Sequence, residues 1–342
     1  MKTAFRNFKL VAVPLAALLA TACATGSGGN APAVDKQAAQ NSRAYLEGMS
    51  YVVSGQAGGK CEGPSAAQKV AMSSSDGPSK EWRDLLTKAS RCAGDKNWKT
   101  LESVAQTLAR VDINAPWGAY FMSVAAEGTG DWQRALWMVE LAQKKAGSPN
   151  GLFLYQHGRV MLGLKDTAKA MLDVQKAVSL EPQLVNGHLF LAEIHHRDLE
   201  WDQAAEHYKA VLAVDDKNSR ALAGFAEVRF NQGDAVAASE LYTKAISWQS
   251  ARLDWWLRLG SIYETSLKNP ELALSTYRGL RASVEKGVIK QRPSVDLGLK
   301  IKSLEDAINA ARQPAQAVVS KAAEPAAPPA SNQKAETARS KK

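Results

Sequence analysis

Cysteine is scarce in this chain, with three in 342 residues. That is too few for a disulfide-stapled scaffold. Long apolar runs are scarce as well. The run Leu10–Ala20 is eleven residues, too short to span a bilayer and remain there. Catalytic signatures are missing: there is no G-x-S-x-G, G-x-x-x-x-G-K-[ST], H-E-x-x-H or C-x-x-C, each of which carries a defined chemistry. Gly26-Ser27-Gly28-Gly29 follows no strand and is no phosphate loop. Thirteen Pro and 24 Gly exclude a collagen-like or wholly disordered chain. What remains is 45% apolar, 23% charged and +9 in formal net charge: the composition of a folded, mildly basic protein.

The N-terminus reads as an address. Lys2, Arg6 and Lys9 precede the apolar run with no acid among them, the pattern of a signal peptide over residues 1–22. The run closes in Leu18-Leu19-Ala20-Thr21-Ala22-Cys23, which resembles the bacterial lipobox. The resemblance implies a lipid on Cys23, the only cofactor-like group expected, and attachment to the outer membrane facing the periplasm. The alternative is an ordinary cleaved secretory peptide in which Cys23 is incidental. Removing 22 residues takes three positive charges with it and leaves 40 Lys plus Arg against 34 acids. Cys61 and Cys92 then remain in an oxidising compartment, where two cysteines permit one disulfide; two free thiols are the other reading. Residues 23–42 are small and polar and form a tether. Residues 43–81 read as an N-terminal region of loop and short helix.

From about residue 82 to 293, helical spacing is interrupted at intervals of about 34 residues. Trp256-x-x-Leu259-Gly260-x-x-Tyr263, then Ala273 and Tyr277, is the clearest copy. Stepping back yields Leu222, Ala226, Ala238 and Tyr242; then Leu191, Ala192, Ala204 and Tyr208; then Leu154, Gly158 and Ala170; then Gly130-Asp131-Trp132 and Ala135. A weaker unit with Leu85, Ala89, Cys92, Trp98 and Leu108 spans 82–115 and lacks the Gly and Tyr. Residues 294–312 place Leu297, Ile301, Leu304 and Ile308 on one helical face. Residues 313–342 hold nine Ala, four Pro and no aromatic, a composition that cannot bury enough apolar surface to order itself.

This pattern resembles the tetratricopeptide repeat (TPR) family, whose consensus is W-x2-L-G-x2-Y followed by A-x3-F. The resemblance implies an all-α superhelix, an α-solenoid of about six helix pairs with a C-terminal capping helix. One pair cannot bury its apolar faces alone, so neighbours stack. It further implies a groove lined by the first helix of each pair. The positions that match are Tyr120, Tyr155, Arg159, Asn186 and Glu193, then Arg197, Arg220, Glu227, Phe230 and Asn231. Mixed aromatic and arginine residues suit a peptide groove, although a solvated face is built of the same types.

All five histidines fall between His157 and His207. His188 and His195 occupy inward-packing positions, so core histidines are expected and no metal is. Most of the nine tryptophans read as packing, with Trp117 and Trp255 the two that could lie exposed. Arg278, Arg281, Lys286, Lys290, Arg292, Lys300 and Lys302 form a basic end that could meet an anionic surface or peptidoglycan. Nucleic acid is not an expected partner of an exported protein. The sequence therefore points to a non-catalytic protein–protein scaffold. It would be a lipoprotein of an envelope machine such as a pilus, gliding-motility or outer-membrane protein assembly apparatus; the alternative is a regulator of a peptidoglycan synthase or hydrolase.

Overall fold

A computed structural model describes residues 60–65, 68 and 80–322, with side chains to Arg312. The expected signal peptide, Cys23, the tether and the tail from residue 323 lie outside the described residues. Thirteen helices and no strand make up the described residues. They form six antiparallel pairs: α1 Lys80–Gly94 with α2 Trp98–Val111, α3 Trp117–Gly128 with α4 Trp132–Ala146, and α5 Gly151–Gly163 with α6 Thr167–Leu180. The series continues with α7 Val185–Arg197 and α8 Trp201–Val214, α9 Ser219–Asn231 and α10 Ala235–Trp248, then α11 Leu253–Ser261 and α12 Pro270–Glu285. Helix α13, Leu297–Ala322, closes the array. The fold is a TPR-type solenoid. None of the described helices is long and apolar enough to cross a membrane.

The repeat is set by its turns. The first helices of pairs two to six start at residues 117, 151, 185, 219 and 253, each 34 beyond the last. Each turn within a pair puts one residue in the left-handed region: Lys96, Gly130, Lys165, Leu199, Gly233 and Lys268. The next residue caps the second helix. Asn97, Asp131, Asp166, Asp234 and Asn269 each accept the N–H three residues on, satisfying a donor the helix leaves orphaned. The fourth pair departs from this. Glu200 makes no side-chain cap, and Leu199, at φ 62°, puts an apolar side chain where the other turns have Gly or Lys. A left-handed conformation costs a non-glycine residue roughly 1–2 kcal/mol, and Leu199 is 66% exposed, so little burial offsets that. Leu199→Gly is expected to stabilise the protein by about 0.5 kcal/mol, after glycine's own entropy is counted. Differential scanning calorimetry should show a Tm gain of about 1–2 °C, absent in Leu199→Ala.

Small residues admit the large ones. A Cβ on Gly224 would lie 2.3 Å from the Tyr208 ring, and one on Gly163 would lie 2.3 Å from Trp132. The weak unit at 82–115 is a true helix pair. Trp82, Leu85, Leu86, Ala89 and Cys92 of α1 bury against Leu101, Val104 and Leu108 of α2. Cys61 and Cys92 are joined by a disulfide, and the Asp95 carboxylate accepts the Cys61 N–H at 3.0 Å. The segment before α1 is thus fastened to the first pair. Gln68 adds to this, donating to Asp84 at 2.6 Å and accepting from Lys88 at 3.0 Å.

Two sequence expectations change. Trp117 is fully buried and Trp255 is 7% exposed; both open first helices whose starts are covered by the neighbouring pairs. The last helix runs to Ala322, ten residues beyond the boundary placed after Arg312. Alanine supplies the best intrinsic helix propensity, and that suffices to continue a helix already nucleated by packing.

From the start of α11 to its left-handed Lys268 the chain is one residue longer than over the same span of α9, and the extra residue is absorbed as a π-turn, Ile262–Ser266, in which the Leu267 N–H reaches the Ile262 carbonyl. The π-turn carries Glu264, which pairs with Lys300 of α13 at 2.7 Å. The cap helix is therefore locked by charge as well as by the buried Leu297, Ile301, Leu304 and Ile308.

Candidate peptide groove

The first helices of successive pairs are tied side by side along one face. Arg159 of α5 meets Glu127 of α3 at 2.5 Å. Arg220 of α9 meets Glu193 of α7 through Nε at 2.5 Å and Nη2 at 2.7 Å. Arg258 of α11 holds Glu227 of α9 by two N–H groups, the Nε contact being 3.0 Å. Between α5 and α7 the rung is aromatic instead, Tyr155 edge-on to Phe190 with ring centroids 6.2 Å apart. Side-by-side helices thus exchange one contact each, and those contacts floor a groove.

Two hollows lie along it. The first, about 500 Å³, is walled by Tyr155, Arg159, Phe190 and Trp132 with Glu127 at its base. The second, about 770 Å³, lies over Tyr208, Tyr242, Glu227 and Arg258, with Trp255 at its far end. Glu193 and Arg220 line both hollows, so the groove is continuous.

Its electrostatics are internally balanced. Glu227 accepts from Arg258 and from the Tyr242 hydroxyl at 2.6 Å. Burial, and then the bond to Glu227, push the Tyr242 phenol far above its ordinary range. Burial also raises Tyr155, opposed by the Arg159 guanidinium 5.7 Å from its ring. Both phenols stay neutral and act as hydrogen-bonding aromatics. Rungs this close to water contribute under about 1 kcal/mol each. Their effect is to fix side-chain positions.

Of the ten positions expected in the groove, six line it: Tyr155, Arg159, Asn186, Glu193, Arg220 and Glu227. Tyr120 does not. It is packed in the N-terminal core, its ring centroid 5.1 Å from Phe121 and 5.9 Å from Trp117. Arg197 sits exposed at the end of α7 and pairs with its neighbour Asp198 at 2.9 Å. Phe230 lies under the Arg258 guanidinium, 4.3 Å from it, and supports the groove without lining it. Asn231 donates to the Glu227 carbonyl at 2.8 Å and finishes α9. The sequence reading missed Glu127, Arg252, Asp254, Trp255 and Arg258, together with the second-helix tyrosines Tyr208 and Tyr242.

Three of the five histidines, His188, His195 and His207, gather between α7 and α8. His188 Nδ1 lies 3.0 Å from His207 Nδ1, while His188 Nε2 faces the Pro182 carbonyl at 3.1 Å. His195 stacks on His207 with centroids 5.5 Å apart, and its Nδ1 meets Glu200 at 2.5 Å. No group of three or more potential ligands is placed to hold a metal among the described residues. Burial, then the neighbouring His188 and His195, lowers the His207 pKa to about 4. A histidine depressed in the folded state takes up its proton more readily when unfolded. Its contribution to stability is therefore intact above the unfolded value near 6.5 and is lost as pH falls towards about 4. Tm is expected to drop across that window. The drop should be shallower in His207→Gln, which keeps polarity and removes the titration; identical profiles by scanning calorimetry would dismiss the account.

No protein-family model matches the chain, and no curated protein matches it. Solved structures do. Over 66% of this chain and 97% of its own length, PilF of Pseudomonas aeruginosa superposes with a TM-score of 0.53 at 12% identity. The APC/C hetero-tetramer Cut9–Hcn1 gives 0.51 at 11% identity over 78% of this chain and 46% of that one. The C-terminal part of a TPR repeat-containing protein from Cytophaga hutchinsonii gives 0.47 at 13%, over 58% and 79%. At such identities the likeness is one of fold.

Proposed function

We propose that this TPR solenoid is a non-catalytic scaffold of the bacterial envelope. It would be exported by residues 1–22, held by a lipid on Cys23 and turned towards the periplasm from the outer membrane. Its task would be to assemble or stabilise an envelope machine, of the pilus, gliding-motility or outer-membrane protein assembly kind. The observation that carries this reading is the continuous groove spanning α3 to α11, with fixed arginines and half-buried aromatics. Such a surface matches the residue types that dominate protein recognition. The fold likeness to PilF, over nearly all of that chain, is consistent with it.

The test is a crosslinking capture from whole envelopes with native protein as bait. A photo-reactive residue replaces Phe190 in the groove, or the 63%-exposed Trp137 away from it, and each bait is compared with Cys23→Ser. The scaffold reading expects one coherent set of envelope subunits, captured at position 190, reduced at 137 and dependent on Cys23. Capture indifferent to position 190 would remove the groove from the function. Capture indifferent to Cys23 would remove the anchor.

A second reading, regulation of a peptidoglycan synthase or hydrolase, is favoured by one feature. Lys286, Lys290 and Arg292 are all exposed in the segment joining α12 to α13. It expects the protein to sediment with purified sacculi, and a triple Gln variant of these residues to stay in the supernatant.

A further inference from the structure

The rungs of the groove are not symmetric towards solvent. At Arg159–Glu127 the arginine side chain is 39% exposed and the acid 11%; at Arg220–Glu193 the values are 66% and 39%; at Arg258–Glu227 they are 36% and 24%. In all three the guanidinium is outermost and the carboxylate lies behind it. The hydrogen bonds follow the same order. Glu127 is engaged by Arg159 and by Gln156, which donates at 2.8 Å. Glu227 is engaged by Arg258 and Tyr242. A guanidinium carries five N–H donors, and each of these pairs uses one or two of them. What the groove offers an incoming chain first is spare N–H donors, with the balancing carboxylates less exposed behind them. Asp254 is the exception, 58% exposed, and both its oxygens are already taken by Arg252 at 3.0 and 2.7 Å.

Between the first two charged rungs lies the apolar seat of Tyr155, Phe190, Leu162 and Leu189. The side chain of Asn186, exposed at its edge, makes no hydrogen bond to the described residues. An amide with both a donor and an acceptor free can read one peptide unit of an extended backbone. Without residues 1–22 the chain keeps 40 Lys plus Arg against 34 acids, and that excess adds a field that draws anions.

We infer that the groove takes an extended acidic segment of a partner protein, with an aromatic or branched aliphatic side chain seated at Tyr155 and Phe190. This inference rests on the scaffold reading and adds the chemistry of the partner. Incoming carboxylates accept the spare N–H groups of Arg159, Arg220 and Arg258, and compete with the resident glutamates. A lysine-rich segment would find those glutamates already covered.

The test uses the purified full chain and three fluorescein-labelled peptides followed by anisotropy. One is an Asp/Glu peptide with a central Trp, one has every acid replaced by Lys, and one is acidic with the Trp replaced by Ser. The acidic Trp peptide is expected to bind about tenfold or more tighter than the Lys peptide, a difference of about 1.4 kcal/mol. Its affinity should fall with added salt. The Ser version should bind more weakly. Two variants must move in opposite directions: Arg220→Gln weakens the acidic peptide about tenfold, while Glu193→Gln, which frees Arg220, tightens it. Both residues are exposed enough to leave Tm unchanged within about 1–2 °C. Equal or tighter binding of the Lys peptide overturns the inference, as does indifference to both variants. If the Lys peptide binds and Phe190→Ala abolishes it, the polarity is wrong and the scaffold reading stands. If no peptide binds, the inference fails, and the crosslink at position 190 decides the scaffold reading separately.

Discussion

Replacing Trp117 by alanine is expected to lower the unfolding free energy by about 3–5 kcal/mol, the usual range for deleting a large buried aromatic. Trp117 is among the largest fully buried side chains of the described residues. It opens α3 and stands edge-on to Tyr120 and Phe153 at 5.9 and 5.5 Å. Those rings join the second pair to the third, and the same cluster takes in Leu101, Val104 and Leu108 of α2. A hole here weakens two inter-pair contacts at once. In an array where each unit touches mainly its neighbours, the loss stays local. The amides of α1 to α4 should therefore lose hydrogen-exchange protection while those of α9 to α12 keep theirs. The matched control is Trp137→Ala. Trp137 is 63% exposed on α4, so its loss should change stability by no more than about 0.5 kcal/mol. A Trp117→Ala protein that melts like the Trp137→Ala protein would mean this core does not carry the N-terminal half.

Trp117 also marks how far the sequence could be read. The 34-residue step is legible because each pair repeats the same physical problem. A small residue must face a large one, as Gly224 faces Tyr208 and Gly260 faces Tyr277, and a capping Asp or Asn must follow the turn. The first pair was faint because it solves that problem with other residues. It lacks the consensus Gly and Tyr, and its Trp98 packs on Gly128 of the following pair where the fourth pair sets Tyr208 on Gly224. The groove was legible only in part. Periodicity gives the direction of a side chain from its own helix. It does not say whether the next pair will cover it. Tyr120 and Tyr155 read alike in sequence; the first is covered by its neighbours and the second lines the hollow. Arg258 was missed for the opposite reason. The equivalent positions one and two repeats earlier are Gly224 and Phe190, so no periodic charge announced it.

Opening the Cys61–Cys92 bridge is expected to cost about 2–4 kcal/mol, for a different physical reason. The two cysteines are 31 residues apart, and closing a loop of that length removes unfolded-state entropy worth about 3.5 kcal/mol on the chain-entropy account. Position sharpens the effect. Among the described residues the first pair has a neighbouring pair on one side only, whereas α5 and α7 are stacked on both. The bridge, with Asp95 accepting the Cys61 N–H and Gln68 bonded to Asp84 and Lys88, holds the preceding segment against α1. Cys92 is fully buried whereas Cys61 is partly exposed, so the clean variant is Cys61→Ser, leaving Cys92 in its apolar site. Three measurements follow. Alkylation of the oxidised protein without reductant should add no mass at either cysteine. Cys61→Ser and the reduced wild type should share one lowered urea midpoint. The lost exchange protection should be confined to α1 and α2, with the groove from α5 to α11 unchanged in peptide affinity. Labelling of both thiols in the oxidised protein would dismiss the bridge. Loss of groove binding together with the bridge would mean that the two ends of the solenoid are coupled, which stacking between adjacent pairs alone does not provide.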